Sequence, residues 1–223
     1  MNTPTPIWDG FVRGYHWLQA GSIVGLWYTG TEGLMDWHFA IAYLMLALLL
    51  SRLIWGVIGS ETARFRHFIH SPSAVLDYLR SLHGKNTPPA QHLGHNPAGG
   101  YMVLMFFVLL SVQLTTGLFA NDDIISEGPL AMYVSSNTSS YMTYIHAINF
   151  NLLLAAIGVH LAAILLYLIK KENLIKPMLS GRKVISETVT PKLVNGLVGW
   201  VIFAVIGGVI YIYWAKDIVA YLL

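Results

Sequence analysis

Apolar residues in this chain gather into runs much longer than the alternating stretches of a strand or the one-sided stripe of a soluble amphipathic helix. With Gly, Pro and charged residues as punctuation, five runs stand out, at about 14 to 30, 37 to 58, 99 to 120, 143 to 169 and 194 to 215. The stretches 14–31, 128–169 and 193–215 contain no Asp, Glu, Lys or Arg. Each run approaches the ~20 apolar residues that carry a helix across a bilayer. The pattern predicts an all-α membrane protein with five spans in one helical domain. Between the second and third runs lies a connection, 59–98, in which Ser71-Pro72 reads as an N-cap followed by proline at the first helical position. Val75, Leu76, Leu79 and Leu82 share one face of the helix that follows, with Asp77, Arg80 and His83 elsewhere, as in a helix lying along a membrane surface. Asn86-Thr87-Pro88-Pro89 ends it.

Composition agrees with the pattern. Of 223 residues, 55% are hydrophobic and 11% charged, whereas a soluble domain carries about 25% charged residues. A soluble enzyme is excluded. The formal charge of +2 and pI near 8.8 do not suggest nucleic acid, because the basic residues sit in short loops beside apolar runs and form no continuous patch. The absence of cysteine excludes disulfides, thiolate metal sites, iron–sulfur clusters and the thioether attachment of a c-type haem. Ahead of the first run stands only Arg13, and no small-residue cleavage site follows before Glu32, so this run is expected to be a retained helix and not a signal peptide.

The thirteen Lys and Arg are unevenly placed. All except Lys216 fall before the first span, around the end of the second and beyond it, or between the fourth and fifth, whereas the loops 31–36 and 121–142 hold none. By the positive-inside rule the N-terminus is expected to be cytoplasmic and the C-terminus outside.

Four of the nine histidines, His16, His38, His146 and His160, fall inside or at the mouths of spans. Ionisable residues there are costly and raise a functional hypothesis, although one histidine bonded to a neighbour can simply be packing. His146 and His160 are fourteen residues apart, close to four turns, so one helix face carries two imidazoles ~21 Å apart along its axis. Given the topology, His38 and His146 lie towards the outer surface and His16 and His160 towards the inner. Each pair has the chemistry to hold a haem iron from both faces. Arg52 lies fourteen residues after His38 on the same face, and Arg13 three before His16. Each suits a haem propionate, and each equally suits a lipid headgroup. His67, His70, His83, His92 and His95 all fall in the connection, where a solvated or headgroup-facing surface accounts for them; His92 and His95 lack the supporting ligands of a zinc site.

The segments Arg13-Gly14-Tyr15-His16-Trp17, Trp37-His38, Arg52-Leu53-Ile54-Trp55-Gly56 and Leu93-Gly94-His95-Asn96-Pro97, with His146 and His160 beyond them, resemble the bacterial cytochrome b561 family. That family includes the b-type cytochrome subunits of nickel–iron hydrogenases. The resemblance runs from about Ile7 to Lys183. It implies a four-helix transmembrane bundle over 1–183 holding two non-covalent b haems with bis-histidine ligation, and electron transfer between the quinone pool and a periplasmic partner. The fifth span, within 184–223, is a departure from that pattern. It lacks histidine, and Gly196, Gly199, Gly207 and Gly208 suit close packing against another helix.

With both axial positions filled, neither iron has room for a substrate, so the chemistry is outer-sphere electron transfer within a quinone-linked oxidoreductase system. Acidic outer loops and an apolar patch at 129–134 suit a periplasmic protein such as a c-type cytochrome, although a loop poor in Lys and Arg also follows from topology alone. A haem-containing anchor subunit of a hydrogenase- or dehydrogenase-type complex is the alternative. A proton relay would need carboxylates within the spans to partner the histidines, and the runs offer none.

Overall fold

The computed structural model describes residues 3–81, 93–122, 126–185 and 190–223. Among the described residues the main elements are helices and one short antiparallel sheet: β1 (Thr3–Pro6), α1 (Gly10–Thr31), α2 (Met35–Ile58), α3 (Phe65–Phe68), α4 (Pro72–Ser81), α5 (Pro97–Phe119), α6 (Ser136–Ile169), α7 (Ile175–Ser180), β2 (Arg182–Ile185), α8 (Gly196–Ile210) and α9 (Lys216–Leu222). A π-helical turn, Tyr211–Ala215, joins α8 to α9. Among the described residues, four helical stretches are long and apolar enough to cross a membrane: α2, α5, α6 and the continuous stretch Gly196–Leu222. The protein is an all-α membrane protein in its long elements. The first run is helical for 22 residues, about 33 Å, but Arg13, His16, Gln19 and Ser22 keep it out of that apolar group. The last helix passes Lys216 and Asp217 to end at Leu222, beyond the limit its apolar run suggested.

Helix starts follow capping chemistry. Val12 N–H donates to Asp9 Oδ1 at 2.8 Å, Gly99 N–H to Asn96 Oδ1 at 2.7 Å, and Thr138 N–H to Ser135 Oγ at 3.2 Å. Each satisfies a donor that the first helical turn leaves open. Capping explains why α1 and α6 begin ahead of their apolar runs. Asn96 is followed by Pro97, whose missing N–H costs nothing at that position. The helix expected after Ser71 appears as α4, and Leu82 and His83 lie outside the described residues.

The chain forms two compact units. The first comprises 1–16, 51–105 and 162–202. Within it β1 pairs antiparallel with β2, Pro4 opposite Val184 and Pro6 opposite Arg182. The apolar patterning gave no sign of this sheet, because two prolines in four residues argue against a strand; a two-stranded sheet is all edge, and an edge strand tolerates them. Gly181, at φ +77°, ends α7, and its carbonyl accepts from Ile7 N and Trp8 N at 2.8 and 3.1 Å. Phe11 and Trp55 are fully buried and meet edge to face at 5.4 Å. Trp55 Nε1 donates to Asp9 Oδ2 at 3.0 Å, so one carboxylate caps α1 and holds α2. The fifth long helix interlocks here. A Cβ on Gly199 would fall 2.4 Å from the Phe11 ring, and one on Gly14 would fall 2.4 Å from Trp200. Gly196 and Gly199 therefore act as the close-packing glycines their spacing suggested.

The second unit comprises 17–50, 106–161 and 203–223. Here Gly207 makes only ordinary contact, and Gly208 meets nothing within 4 Å among the described residues. Its α1–α2 turn is a Schellman closure: Gly33 takes φ +69° and Leu34 N–H donates to Thr29 O at 2.9 Å. Tyr43, Ala47, Ile210 and Ala215 form its buried apolar cluster, packed with Phe39, Phe203 and Trp214. The loop after α5 folds back on that helix, with Gly128 N–H donating to Ala120 O at 2.8 Å and Leu130 N–H to Leu118 O at 2.9 Å. In the 129–134 patch Ala131 is buried, whereas Met132 and Tyr133 are 76% and 73% exposed.

Candidate functional site

The Schellman turn sets α2 hard against the last turn of α1, so that His38, at the start of α2, meets the Thr29-Gly30 pair. Its Nδ1 lies 3.1 Å from Leu26 O and 3.3 Å from Thr29 Oγ1. A carbonyl only accepts, so Nδ1 carries the proton and Nε2 keeps its lone pair. At the end of α5 the same arrangement recurs for His146, whose Nδ1 lies 2.9 Å from Gln113 O and 3.3 Å from Thr116 Oγ1. Gly117 follows Thr116 as Gly30 follows Thr29.

The two imidazoles face each other within the second unit, with ring centroids 6.4 Å apart and planes inclined by 68°. Both line a cavity of about 390 Å³ whose other walls include Tyr43, Leu114, Phe150 and Leu153. That volume lies in the range of small-molecule and cofactor sites, and an apolar wall with few polar groups is their usual composition. Behind His146, buried Asn149 donates through Nδ2 to Leu109 O at 2.9 Å and Gln113 Oε1 at 2.7 Å, fixing α6 on α5. Gln113 and Thr116 thus find partners across helices.

Of the other two span histidines, His16 belongs to the first unit and His160 to the second. The Phe106 ring meets His160 edge-on at 5.8 Å. Arg52 is only 3% exposed, donates through Nη2 to Ala63 O at 3.2 Å and has its guanidinium 5.9 Å from the Tyr15 ring centre. Its charge is held inside the protein, unlike a residue reaching for headgroups. Arg13 donates to Leu179 O at 2.7 Å, and its Nε has no hydrogen-bond partner among the described residues.

His95 departs from the solvated surface expected of the connection. Its ring packs between Trp8 and Phe68, 4.8 and 4.9 Å away. Burial, and then the charges of Arg52 and His16, push it down to about 3, so it is neutral. His92 and His83 lie outside the described residues. The apolar patterning could not foresee the burial of His95, because its neighbours come from β1–α1 and from α3.

Residues 7–181 match the sequence pattern of the prokaryotic cytochrome b561 family. The chain belongs to that family. The family is one of b-type cytochromes and implies haem b as the cofactor. Proteins named probable Ni/Fe-hydrogenase B-type cytochrome subunit are similar to this chain. Those of Azotobacter vinelandii and Azotobacter chroococcum mcd 1 are each 27% identical over 142 residues, covering 53% of this chain and 59% of theirs. The Cupriavidus necator protein is 26% identical over 140 residues, covering 52% and 57%. The chain therefore spans only about three-fifths of those relatives' length. No solved structure matches it.

Proposed function

We propose that this cytochrome b561 carries electrons across the bacterial inner membrane through two b haems, each held by two histidines. His38 and His146 bind the haem towards the periplasm, and His16 and His160 the one towards the cytoplasm. The first pair carries the proposal. Two imidazoles on one metal, with metal–nitrogen bonds of about 2 Å, have ring centres about 6 Å apart, and the observed 6.4 Å is close to that spacing. Both rings line the cavity, and Nε2 is the nitrogen that a tethered Nδ1 leaves available. The second pair rests on the fourteen-residue spacing of His146 and His160 and on the order of the family-like segments. Arg13 and Arg52 serve the propionates of the cytoplasmic haem; the burial of Arg52 supports this, since a buried guanidinium favours an anionic partner.

When bound, the haems supply reversible one-electron chemistry, and histidine on both faces leaves no position for a substrate. The chain's own residues orient the rings, exclude water and set the polarity around them. Electrons enter or leave through membrane quinone and through a periplasmic redox protein such as a c-type cytochrome, with the N-terminus cytoplasmic and the C-terminus periplasmic. The names of the hydrogenase-subunit relatives favour a second reading, in which this chain is the haem-bearing membrane anchor of a larger hydrogenase- or dehydrogenase-type complex. In either case 1–183 is the haem domain, and 184–223 adds the helix that interlocks with α1.

The test is a reduced-minus-oxidised spectrum of the purified protein. Low-spin b bands, lost in part in His38→Ala and in part in His160→Ala, are expected. A protein purified from haem-sufficient cells without those bands overturns the reading.

A further inference from the structure

The surroundings of His38 and His146 are not merely similar; they are the same element used twice. In each, a Thr-Gly pair ends one long helix and faces the histidine of the next. The carbonyl that the ring meets belongs in both cases to the residue three positions before the threonine, Leu26 and Gln113 respectively. Each threonine is 5% exposed. The hydroxyl protons are committed to their own helices, Thr29 Oγ1 donating to Gly25 O at 2.8 Å and Thr116 Oγ1 to Val112 O at 2.7 Å. With its single proton so used, each hydroxyl oxygen presents a lone pair to Nδ1 at 3.3 Å. The ring N–H is therefore shared between a carbonyl and a hydroxyl oxygen in both sites. The glycines make the approach physical: a Cβ on Gly30 would lie 3.3 Å from His38 Cε1 and Nδ1, and one on Gly117 would lie 3.0 and 3.3 Å from the same atoms of His146.

We propose that Thr29 and Thr116 are positioning residues that hold His38 and His146 in the Nδ1–H form and orient both Nε2 atoms into the cavity, each as half of a duplicated Thr-Gly element. This rests on those histidines being the axial ligands. An acceptor on Nδ1–H raises the basicity of the imidazole. The threonine oxygens therefore strengthen both ligands, stabilise the oxidised iron and lower the potential of the haem between them.

Valine matches threonine in shape and lacks the oxygen; serine keeps the oxygen and lacks the methyl group. The experiment is a spectroelectrochemical titration of the purified holoprotein with Thr29→Val, Thr116→Val, Thr29→Ser and Thr116→Ser. Each valine variant is expected to keep the low-spin spectrum and favour reduction about threefold, a shift of about 30 mV to more positive potential at 59 mV per tenfold. The serine variants keep the wild-type value. A valine variant that loses the haem while its serine counterpart keeps it at the wild-type potential also supports the role of the oxygen. Valine variants titrating at the wild-type potential, or serine variants as impaired as valine ones, overturn it. The wild-type spectrum separates the two readings: a protein without bis-histidine b haem defeats the proposed function, whereas unmoved potentials with that haem in place defeat only the positioning role.

Discussion

Replacing Gly117 with alanine tests the outer site at its tightest point. The added Cβ would lie 3.0 Å from His146 Cε1 and 3.3 Å from Nδ1, inside the 3.4–4 Å of ordinary contact. The ring must retreat by a few tenths of an ångström, and the 2.9 Å bond from Nδ1 to Gln113 O stretches towards the limit of a useful hydrogen bond. Losing that bond costs about 1 kcal/mol and overpacking a fitted site about 1–3 kcal/mol. At 1.4 kcal/mol per decade, a combined ~2–4 kcal/mol weakens haem retention by about 30- to 1,000-fold. Gly30→Ala places its Cβ at 3.3 Å from His38 and is expected to cost less. Gly158 lies on the same helix as His146, and a Cβ there meets nothing within 4 Å among the described residues. Gly158→Ala is thus the control, with helix propensity favouring it by up to about 1 kcal/mol. Haem per protein after extended dialysis, with helicity followed by circular dichroism, measures the effect. Equal haem retention in Gly117→Ala and Gly158→Ala would refute the reasoning.

Three further outcomes follow from the first unit. Asp9→Ala removes an N-cap, worth about 0.5–2 kcal/mol, and strands the buried Trp55 Nε1 that it accepts from; a loss of about 2–4 kcal/mol in unfolding in detergent is expected, and Asp9→Asn recovers most of the cap. Gly199→Leu drives a side chain into the Phe11 ring, which its Cβ alone would approach to 2.4 Å, and is expected to loosen α8 from α1, seen as new protease cutting near residue 196. His95, ordinarily at 6.5, is lowered to about 3 in the folded protein, so below pH 6.5 the unfolded chain binds a proton the folded chain does not. The stability His95 allows is complete above pH 6.5 and falls by about 1.4 kcal/mol per unit towards pH 3, or about 2 kcal/mol at pH 5. His95→Gln should flatten that part of the profile; an unchanged slope between pH 7 and 5 counts against it.

Hydropathy and punctuation were enough to place the long helices, because a spanning element must satisfy its own backbone and therefore declares itself in contiguous apolar residues. Their ends were less legible, since capping by Asp9 or Ser135 extends a helix into polar sequence. The pairing of His38 with His146 was also legible, because topology restricts which rings share a depth. The tethers behind those rings were not. Thr29 precedes His38 by nine residues and Thr116 precedes His146 by thirty, so the duplicated element has no common spacing from histidine to support and escapes a search for repeats. Its regularity lies in three dimensions: a helix end, a glycine that admits a ring, and a carbonyl three residues earlier. A threonine that bonds back to its own helix is ordinary in a spanning segment, and nothing in the residue type distinguishes one whose remaining lone pair faces an imidazole. The same argument covers His95, where a polar loop context hid a ring that only the meeting of Trp8 with Phe68 could bury. In this chain the candidate ligands announce themselves by their expense within the membrane, whereas the residues that hold them are inexpensive there, and only packing reveals them.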